Sequence, residues 1–240
     1  MRRQLAQQGF GADRGFRWRG GEISRLEGLS DAVFAFAVTL LVVSLEVPET
    51  FDELLQVLRG FFAFAVCFAI LFWVWYDHYR FFRRYGLADG ITTILTGVLL
   101  FIVLFYVYPM KFLFTTLFDQ MLGDALANAI EPRQVPQLML VYGAGFIAVQ
   151  LVFILLYLHA YRLADSLELD DYERLTTRSE LQGFGLNMLI GLASIAIVTV
   201  GGPDAAFWSG MAYMLIMPAQ TVNGRLMRTR IRQAATTPRQ

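Results

Sequence analysis

The sequence predicts an all-α, polytopic membrane protein with six transmembrane helices per subunit. Three observations lead to this fold class: composition, the lengths of the apolar runs and the placement of arginines. Of the 240 residues, 56% are hydrophobic and 17% are charged, which is too apolar for a soluble domain of this size. The formal net charge is zero, so the overall balance indicates no nucleic-acid partner. The expected surroundings are the lipid bilayer.

Six apolar runs approach the length of about 20 residues that a helix needs to cross the hydrocarbon core. The expected helices are 29–46, 58–78, 91–111, 136–160, 182–202 and 205–224. A tight turn is expected at 201–204, between the last two. These helices form one transmembrane domain, 25–224, between an Arg/Gly-rich leader, 1–24, and a basic tail, 225–240.

The first run differs from the others because it is short and begins with Ser30 and Asp31. A short, partly polar helix suits the centre of a bundle, where lipid contact is small. We therefore expect helix 1 to be central. The same Asp31 would also fit an ordinary helix cap at the membrane boundary.

Arginines are concentrated in alternate connections, which by the positive-inside rule predicts cytoplasmic N- and C-termini and a multi-pass protein of the cell inner (plasma) membrane. The inward connections carry Arg80, Arg83 and Arg84, then Arg162, Arg174 and Arg178. The other connections are mainly acidic and would concentrate cations at the outer mouth. The topology rule alone would produce the same asymmetry.

Two motifs stand at the same end of the first two helices. Residues 25–31 read Arg-Leu-Glu-Gly-Leu-Ser-Asp, and residues 75–78 read Trp-Tyr-Asp-His, with Phe82 four residues later. An indole N–H and an imidazole can both pair with a carboxylate or a hydroxyl. At similar depth, such groups would join the two helices. The alternative is an interfacial aromatic belt beside a simple cap.

These motifs resemble those of the bacterial relatives of the lysosomal potassium channel known as transmembrane protein 175. The family opens its first helix with Arg-x-x-x-Phe-Ser-Asp, which here reads Arg25-x-x-x-Leu29-Ser30-Asp31. Its Trp-x-x-His-x-x-x-Phe pattern appears here from Trp75 to Phe82. Pro109 matches the proline that closes the family's third helix.

The resemblance implies a homotetramer whose pore is lined by helix 1 and conducts monovalent cations, with weak preference for potassium. The pore constriction and selectivity positions it implies are Phe36, Thr39, Leu40 and Val43. The gating and bracing network it implies consists of Arg25, Ser30, Asp31, Trp75 and His78. No metal site and no cofactor are expected, and K⁺ is the expected permeant ion. Phe36 is bulkier than the aliphatic residue usual in the family, so four such rings would narrow the pore further.

Three other functions remain open. Asp31 and His78 are titratable groups that a proton-conducting channel or a secondary transporter would use. Their position at one end of the helices, and the lack of an inverted repeat, count against a transporter. A non-conducting membrane scaffold is the third possibility. An enzyme is not expected, because the sequence has only two histidines, His78 and His159, and no ligand pair is evident at His159.

Overall fold

The computed structural model describes residues 15–43, 49–52, 55, 58, 60–122 and 131–236. The expected positions 44–46 of the first helix and the first part of the leader lie outside these residues. The described helices, in chain order, are α1 (Arg25–Val43), α2 (Phe61–Tyr85), α3 (Gly90–Leu122), α4 (Val135–Arg162), α5 (Asp171–Gly201), α6 (Ala206–Ala212) and α7 (Ile216–Thr236).

Local sequence explains where two of these helices begin. Ser24 and Glu27 form a capping box at α1: the Ser24 hydroxyl accepts from Glu27 N at 3.1 Å, and the Glu27 carboxylate accepts from Ser24 N at 2.8 Å. Asp170 and Glu173 form the same motif at α5. Each box satisfies backbone N–H groups that the first helical turn leaves without partners.

A glycine ends α2. Gly86 has φ 61° and ψ 21°, and its N–H bonds to Phe82 O. Glycine adopts this left-handed conformation without the steric cost that a Cβ would add. The chain then turns through residues 86–89 into α3.

The core is one cluster of apolar side chains shared by the helices. Leu41 of α1, Leu99 of α3 and Phe153 of α4 are each at most 1% exposed. The most extensive helix pairing is that of α4 with α5, and α1 packs on both α2 and α3. The last two helices, α6 and α7, fold back along α5.

The prediction of six transmembrane helices per subunit is wrong by length and composition. Within the described residues, four stretches are long and apolar enough to cross a membrane: Phe61–Tyr85, Gly90–Asp119, Val135–Arg162 and Asp171–Met227. The described first helix has 19 residues, among them Glu27 and Asp31, and does not qualify.

The predicted sixth helix fails for a different reason, whereas the predicted fifth helix, 182–202, lies almost wholly within α5. The expected sixth helix, 205–224, is divided between the seven-residue α6, a 3-10 turn at Tyr213–Leu215 and the first part of α7. The expected tight turn before it is a 3-10 segment, Gly202–Ala205. By length and composition, the whole stretch Asp171–Met227 counts as one candidate membrane span.

One end of the bundle holds most of the ion pairs formed among the described residues. Here α1 and α5 begin, α2 and α4 end, and the loop before α3 passes. Arg84 of α2 donates to Glu180 of α5 at 2.9 Å, and His159 of α4 lies 2.7 Å from Asp89 of that loop. We refer to this end of the bundle as the charged end.

Candidate functional site

Helix α1 has one buried face and one exposed face. Ser30, Phe34, Ala37 and Leu41 follow the helical period and are between 0% and 4% exposed. On the other side, Phe36 is 55% exposed. The helix therefore packs one face against α2 and α3 and leaves Phe36, on the other face, largely uncovered by the described residues.

The four predicted constriction residues are not equivalent in the structure. Phe36 and Thr39 are exposed, whereas Leu40 is half-buried and packs against the core. The side chain of Val43 lies outside the described part of the chain. Their role in a constriction stays a prediction.

Thr39 has a defined hydroxyl orientation. Its Oγ1 donates to Ala35 O in the preceding turn at 2.9 Å. Because that bond uses the hydroxyl proton, the oxygen lone pairs are left to accept from outside the helix. An exposed hydroxyl held in this way presents partial negative charge, which is the chemistry that attracts a cation.

The structure brings four of the five predicted network residues into two contacts between α1 and α2. Trp75 Nε1 donates to Asp31 Oδ1 at 2.8 Å. Ser30 Oγ lies 3.5 Å from His78 Nε2. Arg25, the first residue of α1, is exposed and takes no part in these two contacts.

The hydrogen-bond donor in the contact between Ser30 and His78 can be inferred. Ser30 Oγ donates to Leu26 O at 2.8 Å, so its remaining capacity toward His78 is as an acceptor. This assigns the proton to Nε2 of His78. The imidazole is 2% exposed and lies between Phe34 and Phe82, with ring centroids 6.0 and 4.7 Å away. The contact therefore joins the two helices in an apolar setting.

A groove of about 280 Å³ runs between α1 and α2 beside this network. It is almost wholly apolar, with the Asp31 carboxylate as its one charged group. Among the described residues, no three His, Cys, Asp or Glu side chains are grouped so that they could hold a metal ion.

The sequence reasoning missed the docking of the segment before α1. The leader was expected to be a separate region, yet Phe16 is only 5% exposed, and Arg19 forms an ion pair with Glu173 of α5. The Arg84–Glu180 pair was missed as well. One local signal was available: the Ser24-x-x-Glu27 capping box shows that order begins before the apolar run.

Comparison with known proteins identifies the family. The model of the endosomal/lysosomal potassium channel TMEM175 matches residues 25–106, which include both motifs. A potassium channel of Marivirga tractuosa is 36% identical over 237 residues, covering 93% of this chain and 95% of that protein. The prediction that the chain is not an enzyme agrees with these relatives, which are channels.

Two solved structures are similar to this one. A crystal structure of a variant of the potassium channel MtTMEM175, in complex with a nanobody–MBP fusion, has a TM-score of 0.80 and 37% identity, covering 90% of this chain and 97% of that chain. A lysosomal potassium-selective channel TMEM175 homolog from Chamaesiphon minutus has a TM-score of 0.57 and 24% identity, covering 83% and 96%. The second likeness concerns the fold alone. On the sequence relationship over nearly its whole length, this chain belongs to the TMEM175 family.

Proposed function

We propose that four copies of this chain form a potassium-preferring cation channel with helix α1 of each copy lining the pore. The observation that carries the proposal is the exposed face of α1, which presents Phe36 and Thr39 while the opposite face is buried. Because α1 is short and partly polar, its exposed side suits contact with other copies better than contact with lipid. The relatives from Marivirga tractuosa and MtTMEM175 are potassium channels, and this suggests the class of function.

The constriction would be a ring of apolar side chains from Phe36, Leu40 and Val43. Such a ring gates by narrowness and by dewetting, since water and ions are excluded from a tight apolar passage. An ion must lose part of its hydration shell to pass. That cost is lower for potassium than for the smaller sodium ion, so the ring favours potassium weakly.

The Thr39 hydroxyls would add to this preference. With the proton committed to Ala35 O, each oxygen offers lone pairs to a partly dehydrated cation in the pore. A ring of single hydroxyls compensates less dehydration than successive rings of backbone carbonyls would. Weak selectivity therefore follows from the proposed geometry.

The charged end would face the cytoplasm in the plasma membrane. The support is the positive-inside rule applied to its arginines. Asp31 and His78, the groups that a proton pathway would use, are engaged with Trp75 and Ser30. This engagement favours a bracing role over proton transfer.

Purified protein in liposomes tests the channel. We expect a potassium flux that exceeds the sodium flux, and we expect Phe36→Ala to raise both by widening the apolar ring. Thr39→Ala should lower the potassium-to-sodium ratio while flux persists. Phe101→Ala, at a Phe of α3 that is 71% exposed, is the matched control and should behave as wild type.

Two results would contradict the proposal. One is the absence of cation flux from both the wild type and Phe36→Ala, in preparations that are folded by circular dichroism and monodisperse. The other is a detergent-corrected mass different from that of four copies. The second result would leave cation conduction standing and remove the tetramer.

A further inference from the structure

We propose that residues 15–24, the N-terminal strap, position the inner end of the pore helix by fastening it to the start of α5. This inference rests on the proposed function, because it concerns how α1 is held while it lines the pore. The strap runs directly into α1, and its contacts to other helices lie at the charged end. The residue that carries the attachment is Glu173.

Glu173 is a buried carboxylate with three partners from the strap and its own cap. Its side chain is 2% exposed and forms an ion pair with Arg19. It also accepts from Arg17 N at 2.8 Å and from Asp170 N at 3.1 Å. Charge-assisted bonds of this kind are stronger than neutral ones, and more so away from water. One side chain thus caps α5 and holds two residues of the strap.

The strap also lies against the end of α2. The amides of Arg19 and Gly20 both donate to Arg83 O, at 3.1 and 3.2 Å. A Cβ added to Gly20 would come within 2.6 Å of Phe82 O, a backbone atom that cannot move aside cheaply. The approach is therefore close enough to require glycine. The neighbouring Gly21 has nothing within 4 Å of such a Cβ.

An aromatic side chain secures the beginning of the strap. Phe16 is 5% exposed and meets Tyr85 edge to face at 5.6 Å. The Arg84 guanidinium lies 5.2 Å from the centre of its ring, a cation–π arrangement. Apolar burial, backbone bonds and an ion pair thus act on a segment of about ten residues.

The strap ends at the first turn of α1. Ser24 is its last residue and the N-cap of α1, joined to Glu27 by the capping box. Displacement of the strap is therefore transmitted to the turn that precedes Ser30 and Asp31. An apolar ring closes only while its helices keep the same distance from the axis, so a released strap should let α1 move outward and the ring leak.

Two substitutions one residue apart test the inference. Gly20→Ala should lift the strap from α2, whereas Gly21→Ala should leave it in place. We expect Gly20→Ala to raise sodium flux in liposomes roughly threefold or more, with a smaller rise for potassium, because looser positioning weakens discrimination. Both fluxes of Gly21→Ala should equal those of the wild type. A merely misfolded channel would instead lose both fluxes.

A second pair addresses the ion pair directly. Glu173→Gln keeps an acceptor for the capping box, since Gln serves at this position, but removes the charge that Arg19 needs. It should show the same sodium leak as Gly20→Ala. Asp165→Asn is the control, because it alters a carboxylate of the connection before α5 whose partner is Arg174 and not the strap. It should conduct as wild type.

Amide hydrogen exchange separates this inference from the proposed function. Gly20→Ala should speed exchange in the strap and in residues 25–31 of α1, whether or not the protein conducts. If exchange rises in the strap alone and fluxes stay at wild-type values, the strap does not position α1. Wild-type exchange throughout Gly20→Ala would show that the strap is not docked closely. If no variant conducts while α1 exchange rises as expected, the channel proposal fails and the coupling stands.

Discussion

The charged end and the middle of the bundle join their helices by different chemistry. At the charged end, Glu180 accepts from Arg80 and Arg84, and Glu173 accepts from Arg19. Farther along the bundle, α5 meets α6 and α7 through neutral groups. Ser194 of α5 and Ser209 of α6 exchange hydrogen bonds at 2.8–2.9 Å, and Gln220 of α7 donates to Asn187 of α5 at 2.9 Å.

This difference follows from what each region of a membrane protein can solvate. A charge near the membrane boundary keeps access to water and headgroups, whereas a charge at the bilayer centre is costly. Neutral hydroxyl and amide side chains have a smaller desolvation cost and can bond across helices inside the membrane. Removing a partner should therefore cost much at the charged end and little in the middle.

The largest effect is expected for Glu180→Leu. Arg84 is 1% exposed, and loss of the carboxylate leaves its guanidinium and that of Arg80 without their shared partner. Removing one partner of a buried ion pair is strongly destabilising, by about 3–5 kcal/mol. Reversible unfolding in mixed detergent–SDS micelles measures this change in the free energy of unfolding.

Glu131→Leu is the matched control for that substitution. Its partner is Arg133, and the two side chains are 56% and 82% exposed. Exposed pairs contribute about 0–1 kcal/mol. Equal losses for the two glutamates would show that burial at the charged end does not set the strength of its ion pairs.

A smaller effect is expected in the middle, from Ser194→Ala combined with Ser209→Ala. The double-mutant cycle should give a coupling of about 0.6 kcal/mol, and at most about 1.7 kcal/mol, as measured for neutral bonds between membrane helices. Thr199→Ala replaces Ser209→Ala in the control cycle, since its hydroxyl donates to Ile195 O of its own helix. That cycle should give no coupling. A Ser194–Ser209 coupling as large as the loss in Glu180→Leu would remove the contrast.

The contrast between the charged end and the middle of the bundle also bears on which features could be predicted from the sequence. Trp75, His78, Ser30 and Asp31 were expected to be neighbours because they stand at the same end of consecutive apolar runs, and the structure brings them into contact. That these four residues hold α1 in place or take part in gating stays a prediction. The apolar runs of α2, α3 and α4 were evident because an uninterrupted run has a measurable length.

Two kinds of feature were not evident from the sequence. Arg84 and Glu180 are 96 positions apart, and Arg19 and Glu173 are 154 apart. Arginines are enriched at the cytoplasmic membrane boundary whether or not they form ion pairs. The position of an arginine in the sequence therefore does not reveal its acidic partner. The six-helix count failed because the absence of charged residues does not report backbone breaks: 205–224 is uncharged, yet the 3-10 segment Tyr213–Leu215 interrupts it.

The smallest effect is expected at the margin of the charged end, where Asp89 lies outside the membrane-spanning stretches. Burial acts to raise the pKa of its carboxyl, but hydrogen bonds from Thr92 and His159 outweigh burial, so the pKa lies below its usual value of 3.8. A group whose pKa is lowered by folding stabilises the protein above the unfolded value, and this stability is lost as pH falls through the folded value. Since the side chain is 41% exposed, the stabilisation should be below about 1 kcal/mol.

Wild type should therefore unfold at a higher temperature than Asp89→Asn at about pH 5, and this gap in unfolding temperature should close below about pH 3.8. His159→Asn should narrow the gap at the higher pH, because one of the bonds that lower the pKa is lost. A gap that stays constant or widens on acidification would show that Asp89 does not act through its charge.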